Sequence, residues 1–354
     1  MQSLDGKKRD IFEVVGEKGL FSVEKQSIKL SERDLSGTGQ IPVFSSQTSN
    51  NGVMGFTNKV ADFFIKDTPA LIFGDHTKSM DISNHSFCAA DNVKVLRPQN
   101  IPFDALFYVS CAWKKRIPDM GYARHWRKAK KVGIELPVTD SGKPDYAYMA
   151  EYVQQKRAMM LAKYRAYVEE RIAELGEVAE IPALDEKEWC EFSLDDIFTV
   201  SAGKRLETRN KVPGTRPFIG ATDNNNGVTG FVGNDNSSRD GNVLGVNYNG
   251  APCIAFYHPY ECIFTDDVKR LHLRHHSDNK FVLLFFVSIF AKQRSKYSYG
   301  YKFKEQRMLR QKLMLPITDS GEPDYEYMEQ YSKNIMLRKY QQYLMFLQQR
   351  SGAR

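Results

Sequence analysis

Apolar residues are arranged along this chain in two distinct ways. In two long stretches they form short runs rich in Val, Ile and Phe, separated by Asn, Gly, Asp and Ser. The first stretch holds IPVF, GVMGF, ALIFG and NVKVL; the second holds RPFIG, GVTGFVG, NVLGV, CIAFY and ECIF. Runs of that length between turn formers predict strands. Asn51-Gly52 and Asn226-Gly227 sit between apolar runs and predict turns. One helix is expected in each stretch, near 103–115 and 281–294, where apolar side chains cover enough faces to be buried. After each stretch the period changes. Leu161, Tyr164, Val168, Ile172 and Leu175 recur at spacings of three and four. Met328, Tyr331, Ile335, Met336, Tyr340, Tyr343, Leu344 and Leu347 do the same, and neither Gly nor Pro interrupts 146–175 or 325–350. Each segment predicts a helix of ~30 residues, ~45 Å long. The stripes need a partner, and antiparallel pairing with each other is the economical expectation.

The two stretches are copies of one another. LPVTDSGKPDYAYMAEY begins at Leu136 and LPITDSGEPDYEYMEQY at Leu315, with 12 of 17 positions identical. PVFSSQTSNNGVMGF matches PFIGATDNNNGVTGF at an offset of 175, and DNVKVL matches DDVKRL at the same offset. FDALFYVSCAWKK faces FVLLFFVSIFAKQ at an offset of 178. DIFEV at Asp10 is matched to DIFTV at Asp196, which leaves about eleven extra residues in the first copy before PVF. A period this long is a duplicated domain, not a solenoid repeat, and two such copies can form an intramolecular pseudo-dimer. The expected class is α+β: mostly β domains at 1–142 and 177–321, with long helices at 143–176 and 322–354.

Composition narrows the classes. The longest apolar run, FVLLFFVSIF at 281–290, is about half of the ~20 residues a bilayer span needs. MQSLDGKKRD has no apolar core of a secretory signal. The five cysteines are scattered, with no C-x-x-C, so a cytoplasmic chain without disulfides or zinc is expected. The net charge of +7 suits a polyanion without demanding one.

The duplicated order, the NNG turns, FGDHT at 73–77 and the L-P-x-T-D-S-G-x-P-D-Y segment before each helix resemble the specificity subunit of type I restriction–modification systems. They are also similar to the recognition subunit of type IIB enzymes. The resemblance covers essentially the whole chain. It implies two target recognition domains, each reading half of a split site on double-stranded DNA, and a two-helix spacer that docks methyltransferase subunits. Two methyltransferases are the implied partners, with a restriction or translocase subunit as an optional addition. S-adenosylmethionine would belong to the methyltransferase, with no cofactor in this chain. One departure is visible: copy two opens with EWCEFSLDDIF, whereas copy one has GKKRDIF without the Trp lead-in, so its first strand is expected to be shortened or packed differently.

Charge points to the DNA-binding positions. Eight Lys or Arg and one acid fall between 111 and 131, and again between 291 and 312. From these windows Lys114, Lys115, Arg124, Arg127, Lys128, Arg294, Lys296, Tyr301, Lys302 and Lys304 are the candidates, with Lys204 and Arg205 in a separate basic loop. Lys and Arg at this density suit phosphates, and the interleaved Trp113, Tyr122, Trp126, Tyr297, Tyr299 and Phe303 can pack beside the backbone. A solvated charged face is the ordinary reading of such a run; its duplication at matched places favours DNA. Unlike half-sites require base readers that differ between copies. On that logic Gln47 against Thr222, and Lys78 against Tyr248 and Asn249, are specificity candidates, and the shared Asn51 and Asn226 are turn residues. Catalytic and metal-ligand motifs are not found. Gly203-Lys204 lacks a P-loop frame, and Asp75-His76 has no histidine counterpart. A DNA reader needs no catalytic group, because its partners do the chemistry. The rivals are a non-DNA scaffold, which would bind no DNA with or without a methyltransferase, and an unrecognised enzyme, which would turn over alone.

Overall fold

The computed structural model describes residues 6–26, 28–59, 69–121, 123–297 and 301–352. The chain divides into two compact units, 1–164 and 165–354. In the first, the strands are β1 (Arg9–Phe12), β2 (Phe21–Glu24), β3 (Ile41–Phe44), β4 (Val53–Thr57), β5 (Ala70–Gly74), β6 (Met80–Ser83), β7 (Cys88–Ala89) and β8 (Val93–Pro98). Helix α1 (Phe103–Arg116), the short α2 (Trp126–Ala129), strand β9 (Ile134–Pro137) and the long α3 (Tyr146–Leu175) follow. A four-stranded sheet of order β2-β8-β5-β6 faces a three-stranded one of order β4-β3-β7. Between them lie Phe44, Ala70, Ile72, Phe87, Ala89, Val93 and Val95. The other face of the larger sheet carries α1, through a second core that includes Phe21, Phe73, Leu96, Leu106, Val109 and Trp113. β5 is buried at every position because it is covered on both faces.

The second unit repeats this plan. It contains β10 (Trp189–Ser193), α4 (Leu194–Ile197), β11 (Phe198–Ala202), β12 (Arg216–Ile219), β13 (Val228–Val232), β14 (Val243–Asn247), β15 (Ala255–His258), β16 (Ile263–Phe264) and β17 (Val268–Leu273). Then come α5 (Lys280–Gln293), α6 (Glu305–Leu309), β18 (Lys312–Pro316) and α7 (Tyr325–Gly352). The sheet orders, β11-β17-β14-β15 and β13-β12-β16, correspond strand for strand. Even the irregularities agree: the register shifts at Val43/Phe44 and at Phe218/Ile219, and each smaller sheet has one parallel pair.

The strand registers correct one sequence alignment. β1 pairs with β9, setting Arg9 against Pro137, and β10 pairs with β18, setting Trp189 against Pro316. Phe21 faces Pro98 as Phe198 faces Leu273. The segment containing DIF at 10–12 is therefore equivalent to 190–192, and the true counterpart of Phe198-Thr-Val is Phe21-Ser-Val. The eleven-residue insertion disappears; copy one has only three more residues between Phe12 and Phe21 than copy two has between Phe192 and Phe198. Local identity misled because the tripeptide lies on β1 in copy one but spans the end of α4 and the start of β11 in copy two. The opening strand of copy one is one residue shorter, as its missing lead-in suggested. Where Trp189 stacks on Phe285 with centroids 6.3 Å apart, Arg9 donates to the Tyr108 hydroxyl at 3.1 Å.

Each T-D-S-G segment is a tight connection from strand to long helix. Thr139 N–H donates to the Lys143 carbonyl and Thr318 N–H to that of Glu322, both at 2.9 Å. Gly142 and Gly321 turn the chain at φ 77° and 82°. Asp145 then caps α3, its Oδ1 accepting from Tyr148 N–H at 3.0 Å, and Asp324 caps α7 through Tyr327 N–H at 2.9 Å. A lysine from ahead of the opening strand holds each cap: Lys7 to Asp145 and Lys187 to Asp324, both at 2.7 Å. Met149 and Met328, one turn on, are completely buried in the helix-bearing core of their own unit.

The second unit also holds an ionic cluster. His272 lies between Asp278, at 2.7 Å from Nδ1, and Asp240, at 3.0 Å from Nε2, and Asp240 also takes Arg270 at 2.9 Å. Hydrogen bonding to Asp278 and to Asp240 raises the imidazole pKa to about 9 against the opposing effect of burial. At the matching register Arg97 pairs with Glu24.

Two expectations follow. Asp145→Ala and Asp324→Ala should each lower stability by about 1 kcal/mol, with faster amide exchange confined to the first turn of the helix concerned. The His272 proton is held more tightly in the folded state. Its contribution is therefore complete below the unfolded pKa of 6.5 and is lost as pH rises through about 9. Thermal unfolding followed from pH 6 to 10 should show wild type losing about 1–3 kcal/mol more than His272→Gln.

Candidate nucleic-acid interface

The first basic window begins on the last turn of α1 and continues through the loop that carries α2. Two buried groups hold this loop. Asp75, at the end of β5, accepts from Trp126 N–H through Oδ1 at 2.7 Å, and its carbonyl accepts from His125 N–H at 2.7 Å. His125, 1% exposed, accepts from Met120 N–H through Nε2 at 3.2 Å. The Trp113 indole N–H donates to the Ala129 carbonyl at 3.1 Å. With its backbone anchored inward, the loop presents Arg124, Arg127, Lys128, Lys130 and Lys131 outward, beside Lys114 and Lys115. Asp75 thus anchors the loop.

The second window starts at the end of α5 and runs into β18. Arg294 approaches Asp223, in the connection that contains the second NNG turn, at 3.8 Å. Lys296 donates to the Gln293 side chain at 2.7 Å. Arg307 lies 4.0 Å over the Tyr301 ring and donates to the Lys302 carbonyl at 2.9 Å. Lys304 is exposed and caps α6. Among the described residues, Arg116, Arg124 and Arg294 are the cations of the two windows with a carboxylate within 4 Å. The remaining positive charge is uncompensated by protein acids, which leaves it available to phosphate. Lys204 and Arg205 are placed on a loop tethered by Lys204 N–H to the Phe264 carbonyl at 2.9 Å.

Several candidates turn out to serve the fold. Trp113 and Phe303 are completely buried, Trp126 packs on Phe73 at 5.6 Å, and Tyr297 donates its hydroxyl to Gln311 at 2.6 Å. The aromatic interleaving of these windows is largely core; Tyr301, 51% exposed, is the ring left at the surface among the described residues. Tyr122 and Tyr299 lie outside the described residues. Lys78 is tied to the Ile117 carbonyl at 3.4 Å and to Asp119 at 3.6 Å. By register its counterpart is Cys253, which shares its left-handed backbone, and not Tyr248 or Asn249. Tyr248 packs against the core and under Lys269 at 5.5 Å, and Asn249 donates to Asp267 at 2.8 Å. Gln47 and Thr222 both staple their NNG turns: Gln47 donates to the Val53 carbonyl at 2.5 Å, and the Thr222 hydroxyl accepts from Asn224 N–H at 3.2 Å. Asn51 and Asn226 are turn residues as expected, at φ 50° and 54°.

Burial quenches three reactive-looking groups of the second unit, while Cys190 is exposed. Burial pushes the Cys253 and Cys262 thiols up to about 12 and the His258 imidazole down to about 4.

Residues 186–343 match the family model described as the type I restriction modification DNA specificity domain. The chain is 36% identical over 266 residues to the type II restriction enzyme BgcI specificity subunit S.BcgI of Heyndrickxia coagulans, covering 74% of this chain and 76% of that one. Its fold is similar to the crystal structure of the type I restriction–modification S subunit from M. genitalium, with a TM-score of 0.52 at 16% identity, covering 99% and 94% of the two chains.

If the exposed cations hold phosphates, changing Lys114, Lys115, Arg127 and Lys128 to Glu should weaken binding to every duplex. The slope of log affinity against log salt should fall by about 0.9 for each phosphate no longer neutralised. An unchanged slope in a fluorescence-anisotropy titration would reduce the window to a solvated face.

Proposed function

This chain belongs to the DNA specificity subunits of restriction–modification systems, and from that premise we propose that its two β-rich domains each read one block of a bipartite DNA target. Specificity subunits recognise DNA and associate with methyltransferase subunits, as the non-catalytic recognition component of the assembly. The observation that carries the two-block reading is the duplication itself. The same fold occurs twice, each copy has its basic window at the same place, and the polar residues around the windows differ. Shared cations suit the shared sugar–phosphate backbone, and differing neighbours suit differing bases.

In this reading the recognition domains are 1–142 and 177–321. The helical segments 143–176 and 322–354 pair as an antiparallel spacer. Their pairing draws support from the apolar periodicity of both helices and from the identical way each is capped and anchored to its domain. A chain with an internal two-fold repeat offers two equivalent surfaces, so one copy binds two methyltransferase subunits. The methyl donor S-adenosylmethionine is bound by those subunits, this chain supplies no catalytic group, and the complex works in the cytoplasm, with or without an added restriction subunit. Among the described residues no helix is long and apolar enough to cross a membrane.

Mapping the methylated sequences in a host that expresses the complex tests the reading. Two short, unlike blocks separated by roughly 5–8 unspecified base pairs are expected, from the one-turn spacing that paired recognition units prefer. Exchanging residues 1–135 for those of a relative should change one block. Four residues inserted near Arg157 lengthen the helix by ~6 Å and should widen the gap while both blocks stay the same. A continuous target, or an insertion that changes the bases read, would overturn the model. Native mass spectrometry should find two methyltransferases per chain; a single one would refute the two-fold docking.

A further inference from the structure

Asp81 stands on the edge strand β6, directly beneath the Asn50-Asn51-Gly52 turn. It pairs with Ile72 on β5, and at the same register in the second unit Phe256 pairs with Gly245. A side chain built on Gly52 would run into the Asp81 carboxylate, and one on Gly227 would come 3.3 Å from the Phe256 ring. Positions 81 and 256 therefore occupy the same place under the same turn. One holds an acid and the other a phenyl ring.

The acid does nothing for the fold that the structure reveals. Its Oδ2 is shielded from solvent and accepts no hydrogen bond. A shielded, unpaired carboxylate oxygen is destabilising, and such groups in native proteins call for an explanation. The duplicated unit supplies the control: the same turn and sheet edge form over Phe256, so the architecture does not require a carboxylate. The neighbouring charge differs in the same sense. Lys114 acts on Asp81 from the end of α1; because Trp113 packs on Phe21 as Phe290 packs on Phe198, the two helices match at an offset of 177, not the 178 of the sequence alignment, and the counterpart of Lys114 is Ala291, one residue before Lys292. The acid and the lysine that acts on it in one domain are thus matched by apolar residues in the other, at a point that adjoins a basic window.

We infer that Asp81 is a base-reading residue of the first recognition domain, accepting a hydrogen bond from an exocyclic amino group in the major groove. The inference rests on the two-domain reading above. An aspartate is suited to the amino group of cytosine, and adenine offers the same chemistry. Asp81 is half-buried as a residue, and reading a base requires its carboxylate to turn outward from beneath the Gly52 turn. Phe256 has no acceptor to offer, so the two half-sites differ at the corresponding base.

The test uses the full chain assembled with its methyltransferase, as wild type, Asp81→Asn and Asp81→Phe. Methylated sequences are mapped for each, and thermal unfolding is recorded. Both variants should relax one position within one block by about 10- to 100-fold in selectivity, with the other block and the gap unchanged. Asp81→Phe, the second domain's own residue, should melt no lower than wild type. The base dropped from the consensus identifies the amino group as that of cytosine or adenine. Variants that methylate the wild-type sequence with unchanged selectivity, or that lose activity equally on all sequences, overturn the inference. A continuous wild-type target overturns the two-domain reading instead, and is seen before any substitution is made.

Discussion

One ionic contact, made twice, sets how each recognition domain meets its long helix. The lysine ahead of the opening strand reaches the aspartate that caps the helix, at 2.7 Å in both units. The same lysine lies 5.0 Å over Tyr148 in the first unit and 5.3 Å over Tyr327 in the second. Hydrogen bonding to Lys7 is the largest influence holding the Asp145 carboxyl below its usual range, so the cap stays ionised where the helix dipole favours negative charge. Through this contact the start of the domain, the last strand of the sheet and the first turn of the helix become one assembly. A helix whose first turn is fixed on three sides has a defined direction, and a spacer requires that.

The rest of each domain is built to present an edge. The helix-bearing core and the inter-sheet core are separate clusters on opposite faces of one four-stranded sheet. The end of α1 or α5 and the NNG turn approach each other at the rim where those layers meet. In the first unit this juxtaposition is Lys114 with Asp81 and Gly52; in the second it is Arg294 with Asp223. The shared turn, cations and divergent polar positions thereby come to one place, which suits a reader of duplex DNA.

The duplication also separates what the scaffold needs from what recognition needs. The NNG turns, the strand bulges, the T-D-S-G connections and the capped helices recur with nearly the same distances, so they belong to the scaffold. The Arg97–Glu24 pair and the Asp240–His272–Asp278 cluster occupy one register with different chemistry. Two unrelated polar solutions at one site mean that the sheet tolerates change there so long as its charges are paired.

The sequence alone determined the duplication, the class, the strand runs, the two turns and the helices, including α3 to within a residue or two. These are local signals: period, turn formers and helix breakers act within a few residues of themselves. What only the tertiary structure decided depends on register and burial. The DIF tripeptides looked equivalent until strand pairing showed that one lies on β1 and the other leads into β11. Trp113 and Phe303 sit among cations in the sequence but face inward, because a helix or a loop places neighbours on opposite faces. Lys78, Gln47 and Asn249 resembled free polar groups until the fold brought their partners within reach. Asp81 had no signal in the sequence at all. Its meaning lies in the oxygen it leaves unpaired and in the phenyl ring that fills its place in the other domain, and both are facts of packing.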